Sequence, residues 1–198
     1  YMHERALFPK QTYCGSELSR LTSVIMSQRI AYQGPTLSVL KEKTKFPNGK
    51  VVDLEMIKHP GASAIVPFET KTEVLLIRQF RPAIGGVIWE VPAGKIENES
   101  PSACAARELR EEVGRQAKIL EALGSVLTTP GFTNEVIHLF AAYELEVVPS
   151  AEEEDEFIEV VAMPLTAALD LIWTGDLRDA KSAMAILHAA RREGLLAP

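Results

Sequence analysis

A chain of 198 residues, 46% of them hydrophobic and 24% charged, carries enough apolar material for one globular domain with a small attachment. Its formal net charge of −6 argues against a general nucleic-acid binder, which needs a basic surface, but admits a polyanionic small molecule if a cation supplies positive charge locally. The two cysteines, Cys14 and Cys104, do not make a disulfide framework, so a reducing, cytoplasmic setting is expected, and no apolar run is long enough to span a bilayer.

Residues 1–27 show no clean period and read as an irregular extension; Tyr1–Lys10 lacks the apolar middle of a signal peptide, and Met26 is a candidate native start. From Gln28 the pattern becomes regular. Residues 28–60 read as a small N-terminal β unit: a strand over Leu37–Lys43, a turn at Pro47-Asn48-Gly49-Lys50, and a returning strand over Val51–Lys58 that ends at His59-Pro60-Gly61. Residues 61–198 read as the main domain. Strands are expected at Ser63–Phe68, Glu73–Phe80 and Ile88–Val91, the last running into Pro92-Ala93-Gly94. Ser100 suits an N-cap and Pro101 the first helical position; the helix runs to Val113, where Gly114 ends it. Further strands are expected at Ile119–Leu127, Val136–Val147 and Phe157–Met163, with an acidic loop over Ala151–Glu156 before the last. Two amphipathic helices, about Leu165–Trp173 and Ala180–Arg192, finish the chain. A mixed sheet with helices on both faces, an α/β/α sandwich, is the expected architecture.

The central helix carries the chemistry. With Leu109 at the centre of the buried face, Ser102, Ala105, Ala106 and Val113 fall on the same side at about 100° per residue. Glu108, Glu111 and Glu112 then share an arc beside it, at i,i+3 and i,i+4 spacing. Like charges so placed repel. A solvated acidic face relieved by Arg107, Arg110 and Arg115 is the plain explanation. A hard divalent cation, which prefers carboxylate, carbonyl and water oxygens, is the functional one, and it turns the repulsion into binding.

Gly94-Lys95-Ile96-Glu97-Asn98-Glu99, followed after seven residues by Arg107-Glu108-Leu109-Arg110-Glu111-Glu112-Val113-Gly114, resembles the Nudix box. Four residues separate Gly94 from Glu99, one fewer than in the family pattern; the helical half matches in full. The resemblance implies a Mg²⁺-dependent hydrolase, with Mn²⁺ as a substitute ion. It implies Glu108, Glu112 and the Ala93 carbonyl as metal ligands, and Glu111 as a further ligand or catalytic group. Arg107 is expected to pair with Glu99 or Glu111.

Three further segments resemble the ADP-ribose pyrophosphatase branch: Leu76-Ile77-Arg78-Gln79-Phe80-Arg81-Pro82, Trp89-Glu90-Val91-Pro92-Ala93-Gly94-Lys95-Ile96-Glu97 and Thr129-Pro130-Gly131-Phe132-Thr133-Asn134-Glu135. By this resemblance Arg81 holds substrate, Phe132 lines a nucleoside pocket and Glu90 belongs to the site, although a surface arginine, a core phenylalanine and an exposed strand glutamate would read alike. A glutamate of the acidic loop, Glu154 or Glu156, is implied as the general base. The branch also implies a homodimer built through the N-terminal β unit. One departure is visible: branch members often carry an arginine in the strand before His-Pro-Gly, whereas in Val51–Lys58 the basic residue is Lys58. The expected reaction is hydrolysis of the pyrophosphate bond of a nucleoside diphosphate derivative, ADP-ribose first, with ADP-glucose or GDP-mannose as alternatives. A nucleotide-sensing Nudix module without catalysis is a third reading, and no nucleic-acid or membrane partner is expected.

Overall fold

A computed structural model describes residues 21–35, 37–149 and 157–196. Of these, the residues up to His59 with Thr129–Asn134 form one compact unit, and Pro60–Thr128 with the residues from Glu135 onward form another.

The first unit is an antiparallel three-stranded sheet in the order β1 (Val24–Gln33), β2 (Ser38–Lys45), β3 (Val51–Lys58). The β2–β3 turn sits where Pro47-Asn48-Gly49-Lys50 predicts it. Gly49 takes φ 84°, which an L side chain resists, and Asn48 Oδ1 accepts from Lys50 N at 3.0 Å. β1 was not expected: it starts at Val24, ahead of the regular pattern. Register slips between Ile25 and Ser27 and between Ile30 and Tyr32 break its two-residue period, and all ten residues are exposed, so no buried face marks it in the sequence. The loop 129–134 joins this unit through Ile57 N, which donates to Phe132 O at 2.7 Å, and His59 N, which donates to Asn134 Oδ1 at 2.8 Å.

The second unit contains a four-stranded sheet ordered β7 (Ala93–Lys95), β4 (Ala62–Pro67), β9 (Val136–Val147), β8 (Arg115–Leu127), and a three-stranded antiparallel sheet ordered β10 (Ile158–Pro164), β5 (Glu73–Arg81), β6 (Gly86–Glu90). β4 and β9 are parallel; the other pairs are antiparallel. Strand alternation divides the core in two. Ala62, Ala64 and Val66 of β4, with Ile137, Leu139 and Ala141 of β9, pack on α2 (Leu165–Thr174) and α3 (Ala180–Arg192). Ile65, Phe140 and Ala142 point the other way, onto Ala105, Leu109 and Val113 of α1 (Pro101–Val113). Helices therefore cover both faces of a mixed sheet, as expected. β8 begins at Arg115, directly after the helix, because Gly114 at φ 64° reverses the chain at once. Among the described residues no helix is long and apolar enough to cross a membrane.

Candidate active site

α1 begins and ends where its sequence says. Ser100 caps it by accepting from Ala103 N at 3.1 Å, and Pro101 opens the first turn. Its buried face is rotated from the expected one. Ser102 and Ala106 are exposed, while Cys104, Ala105, Glu108, Leu109, Glu112 and Val113 are buried. Hydropathy reads a glutamate as outward-facing; here Glu108 and Glu112 are drawn inward because backbone and cationic partners await them.

Cys104, Glu108 and Glu112 recur every four residues, so they form one stripe, and each turn of that stripe meets β7. The Cys104 thiol donates to Gly94 O at 3.4 Å. Glu108 lies against Gly94 so closely that a Cβ built there would stand 1.7 Å from its Oε1. Glu112 Oε2 accepts from Ala93 N at 3.0 Å. β7 is held in turn by β4, with Ala64 opposite Ala93 and Ser63 opposite Gly94. Sequence-distant carboxylates and loop backbone are thus brought to one place by a three-residue strand.

Arg107 neutralises the cluster from its outer side. Its Nε and Nη2 donate to Glu99 Oε1 at 3.0 and 2.9 Å, its Nη1 to Glu111 Oε2 at 2.8 Å, and its Nη2 to Lys95 O at 3.0 Å. Nη1 also stands 2.7 Å from Glu108 Oε1. Arg107 therefore pairs with both candidates, Glu99 and Glu111, and the loop that is one residue short still delivers Glu99. Burial alone would lower the Arg107 pKa; its hydrogen bonds to Glu99 and Glu111 and the charge of Glu108 outweigh it, and the guanidinium is held charged. Burial pushes the Cys104 thiol up, so it stays protonated. Among the described residues no three Glu, Asp, His or Cys side chains form a ready ion cage; Glu112 leans on Ala93 N and Glu108 on Arg107.

A second cluster holds the other site candidates of this unit. Glu90 is 2% exposed, and its Oε2 accepts from Arg81 Nε at 2.7 Å. Its Oε1 accepts from Lys181 Nζ, which also reaches Asp179 Oδ2 at 2.8 Å. Asp179 caps α3 by accepting from Ser182 N at 3.0 Å. Arg81, Ile84, Ile88, Glu90, Arg178, Asp179 and Ala180 enclose a cleft of about 490 Å³. Burial would lower the Arg81 pKa, but the Glu90 hydrogen bond and charge, then the charges of Glu112 and Asp179, raise it on balance. The Glu112 influence links this cleft to the carboxylate stripe. Glu90 is not the exposed strand residue its position allowed. Sequence reading misses Asp179, Lys181 and Arg178: an aspartate directly before a helix is a cap signal that could mark the first, but nothing near Lys181 in sequence names a partner 91 residues away. Phe132 belongs to the first unit, with its ring exposed. Glu154 and Glu156 lie outside the described residues.

Residues 57–186 match the NUDIX domain. The chain belongs to the Nudix family.

As a Nudix hydrolase it is 39% identical to the ADP-ribose pyrophosphatase of Bacillus subtilis (strain 168), over 84% of this chain and 91% of that protein. It is 33% identical to the methanol dehydrogenase activator of Bacillus methanolicus, over 83% and 90%. It is 37% identical to the GDP-mannose pyrophosphatase of Yersinia enterocolitica, over 69% and 75%. A crystal structure described as an ADP compounds hydrolase superposes with a TM-score of 0.78 at 23% identity, covering 88% of this chain and 97% of that one, which shows the shared fold. Nudix hydrolases generally use divalent cations, and the donors assembled on α1 suit such an ion. They are carboxylates, and a glycine beneath them leaves room where any other residue would place a Cβ.

Proposed function

We propose that this Nudix hydrolase cleaves the pyrophosphate bond of a nucleoside diphosphate derivative, with ADP-ribose as substrate and AMP and ribose 5-phosphate as products. The observation that carries the reading is the docking of Glu108 and Glu112 onto Gly94 and Ala93, beside an arginine held by Glu90. The likeness to ADP-ribose pyrophosphatases over most of the chain supports the substrate.

Glu108, Glu112 and the Ala93 carbonyl would hold Mg²⁺, or Mn²⁺ in its place, with Glu111 as a further ligand. When bound, the ion offsets the charge of the diphosphate and polarises the bond that breaks. Arg81 grips the phosphates through its terminal nitrogens, since its Nε is committed to Glu90. Glu154 or Glu156 takes a proton from the attacking water, whose oxygen bonds to one phosphorus as the bridging P–O bond breaks and the other phosphate departs.

A cytoplasmic homodimer completes the reading. Cys104 is a buried free thiol, which suits a reducing compartment. β1 exposes Val24, Ile25, Met26, Ile30 and Tyr32, apolar side chains along one strand that a second copy would cover. Light scattering is expected to give a dimer, and a monomer at micromolar concentration counts against it. GDP-mannose is the second substrate reading, favoured by the 37% likeness to an enzyme of that name.

The deciding experiment offers ADP-ribose, ADP-glucose, GDP-mannose, NADH and diadenosine polyphosphates at equal concentration, with Mg²⁺ and with chelator. Mg²⁺-dependent preference for ADP-ribose is expected. Binding without cleavage of any compound would overturn the enzymatic reading in favour of a nucleotide sensor.

A further inference from the structure

Arg81 has three guanidinium nitrogens, and one of them, Nε, is spent on Glu90. Nη1 and Nη2 carry no hydrogen bond among the described residues, and the side chain, 37% exposed, borders the 490 Å³ cleft. A guanidinium fixed by Nε presents its two outer nitrogens as a fork suited to an oxyanion. Whether the fork stays open depends on Glu90. That carboxylate is buried and has two oxygens to satisfy. Arg81 satisfies one and Lys181 the other.

We propose that Lys181 is a positioning residue for substrate binding, acting through Glu90 to keep the Arg81 fork free. Lys181 is suited to this and poorly suited to touching substrate. Its side chain is 15% exposed, and its ammonium is engaged by two carboxylates, Glu90 and Asp179. Asp179 is itself fixed as the cap of α3, and Ser182 Oγ both donates to Asp179 and accepts from Val91 N at 2.8 Å. The first turn of α3 thus clamps Glu90 and Val91 together, two residues ahead of the Ala93 backbone that holds Glu112. Without Lys181, Glu90 Oε1 would be buried with no donor, an expensive state for a carboxylate. The nearest remedy is rotation toward Arg81, so that Glu90 takes an Nη group as well as Nε and closes the fork. The reading rests on the function proposed above insofar as the anion is the substrate's diphosphate.

The test compares wild type, K181M, R81K and the double variant, with ADP-ribose as substrate. K181M keeps the length of the side chain and removes its donors. We expect KM to rise at least about tenfold with kcat within about threefold, because the chemistry on α1 is untouched. We also expect K181M to add little in the R81K background, where no fork remains to protect. An unchanged KM, or fully additive effects, overturns the proposal. If K181M does not fold, K181R replaces it; that variant keeps a donor to Glu90 and should hold KM within about threefold, and a tenfold rise overturns the proposal. Should the wild type cleave no ADP-ribose, the proposed function fails separately. Lys181 is then judged by calorimetric binding of inorganic pyrophosphate with Mg²⁺, where about tenfold weaker binding by K181M supports the relay and equal binding sinks it.

Discussion

The Glu108 carboxylate occupies the space in which a side chain on Gly94 would begin. A Cβ there would lie 1.7 Å from Oε1 and 2.1 Å from the carboxyl carbon. Gly94 is not among the positive-φ glycines, so the requirement is room rather than backbone freedom. The atoms in conflict are the far end of a flexible side chain, so G94A should fold and Glu108 should swing away. Expected are a loss of Mg²⁺-dependent kcat of at least about 100-fold, comparable with disturbing the surroundings of a metal site, and a stability change of about 1–2 kcal/mol. Steady-state kinetics with a Mg²⁺ titration and a thermal melt read both; wild-type turnover in G94A would mean that Glu108 does no work where it stands.

Glu112→Gln separates charge from shape. The amide oxygen of glutamine still accepts from Ala93 N, so the contact between α1 and β7 survives. What is lost is a negative charge facing the cation. Turnover should fall at least about 100-fold while the melting temperature stays within about 4 °C. Near-wild-type activity would remove Glu112 from the ligand set.

These two variants also mark where sequence reading succeeds and where it stops. Local signals are strong on α1: a capping serine, a proline at the first position and a terminal glycine gave both ends correctly. The rotation of the helix face was missed because hydropathy assigns glutamates to water, and only tertiary partners on β7 bring Glu108 and Glu112 inside. β1 was missed because two register slips erase its period. Glu90 was singled out from its place before the loop, yet its burial between Arg81 and Lys181 depends on α3 arriving from 91 residues away. No local pattern encodes such a meeting.

His138 gives a pH prediction. Burial lowers its pKa from the ordinary value of about 6.5. Between the folded and unfolded values the unfolded chain binds more protons, so stability rises with pH in that window. Seen from neutrality, stability is lost as pH falls through about 6.5 and the loss is complete below the folded value. H138N, which cannot gain the charge, should lose less melting temperature than wild type between pH 7 and pH 5. Parallel curves for the two proteins would show that this imidazole does not contribute to acid sensitivity.

Arg107 yields a prediction in which metal and charge trade places. Its guanidinium faces Glu99, Glu108 and Glu111 at 2.7–2.9 Å. R107M removes the cation and leaves three carboxylates at close quarters, at a cost of about 2 kcal/mol after discounting for partial exposure. For a domain of this size that lowers the melting temperature by about 4–8 °C. A divalent ion on the same carboxylates supplies positive charge of its own and binds only the folded arrangement, so it stabilises by mass action. The deficit of R107M should therefore be largest in chelator and shrink at millimolar Mg²⁺. If Arg107 served only to pack the loop, the deficit would be the same in both conditions. Melts of wild type and R107M in chelator and in Mg²⁺ distinguish the two, and equal deficits would show that the ion does not reach this cluster.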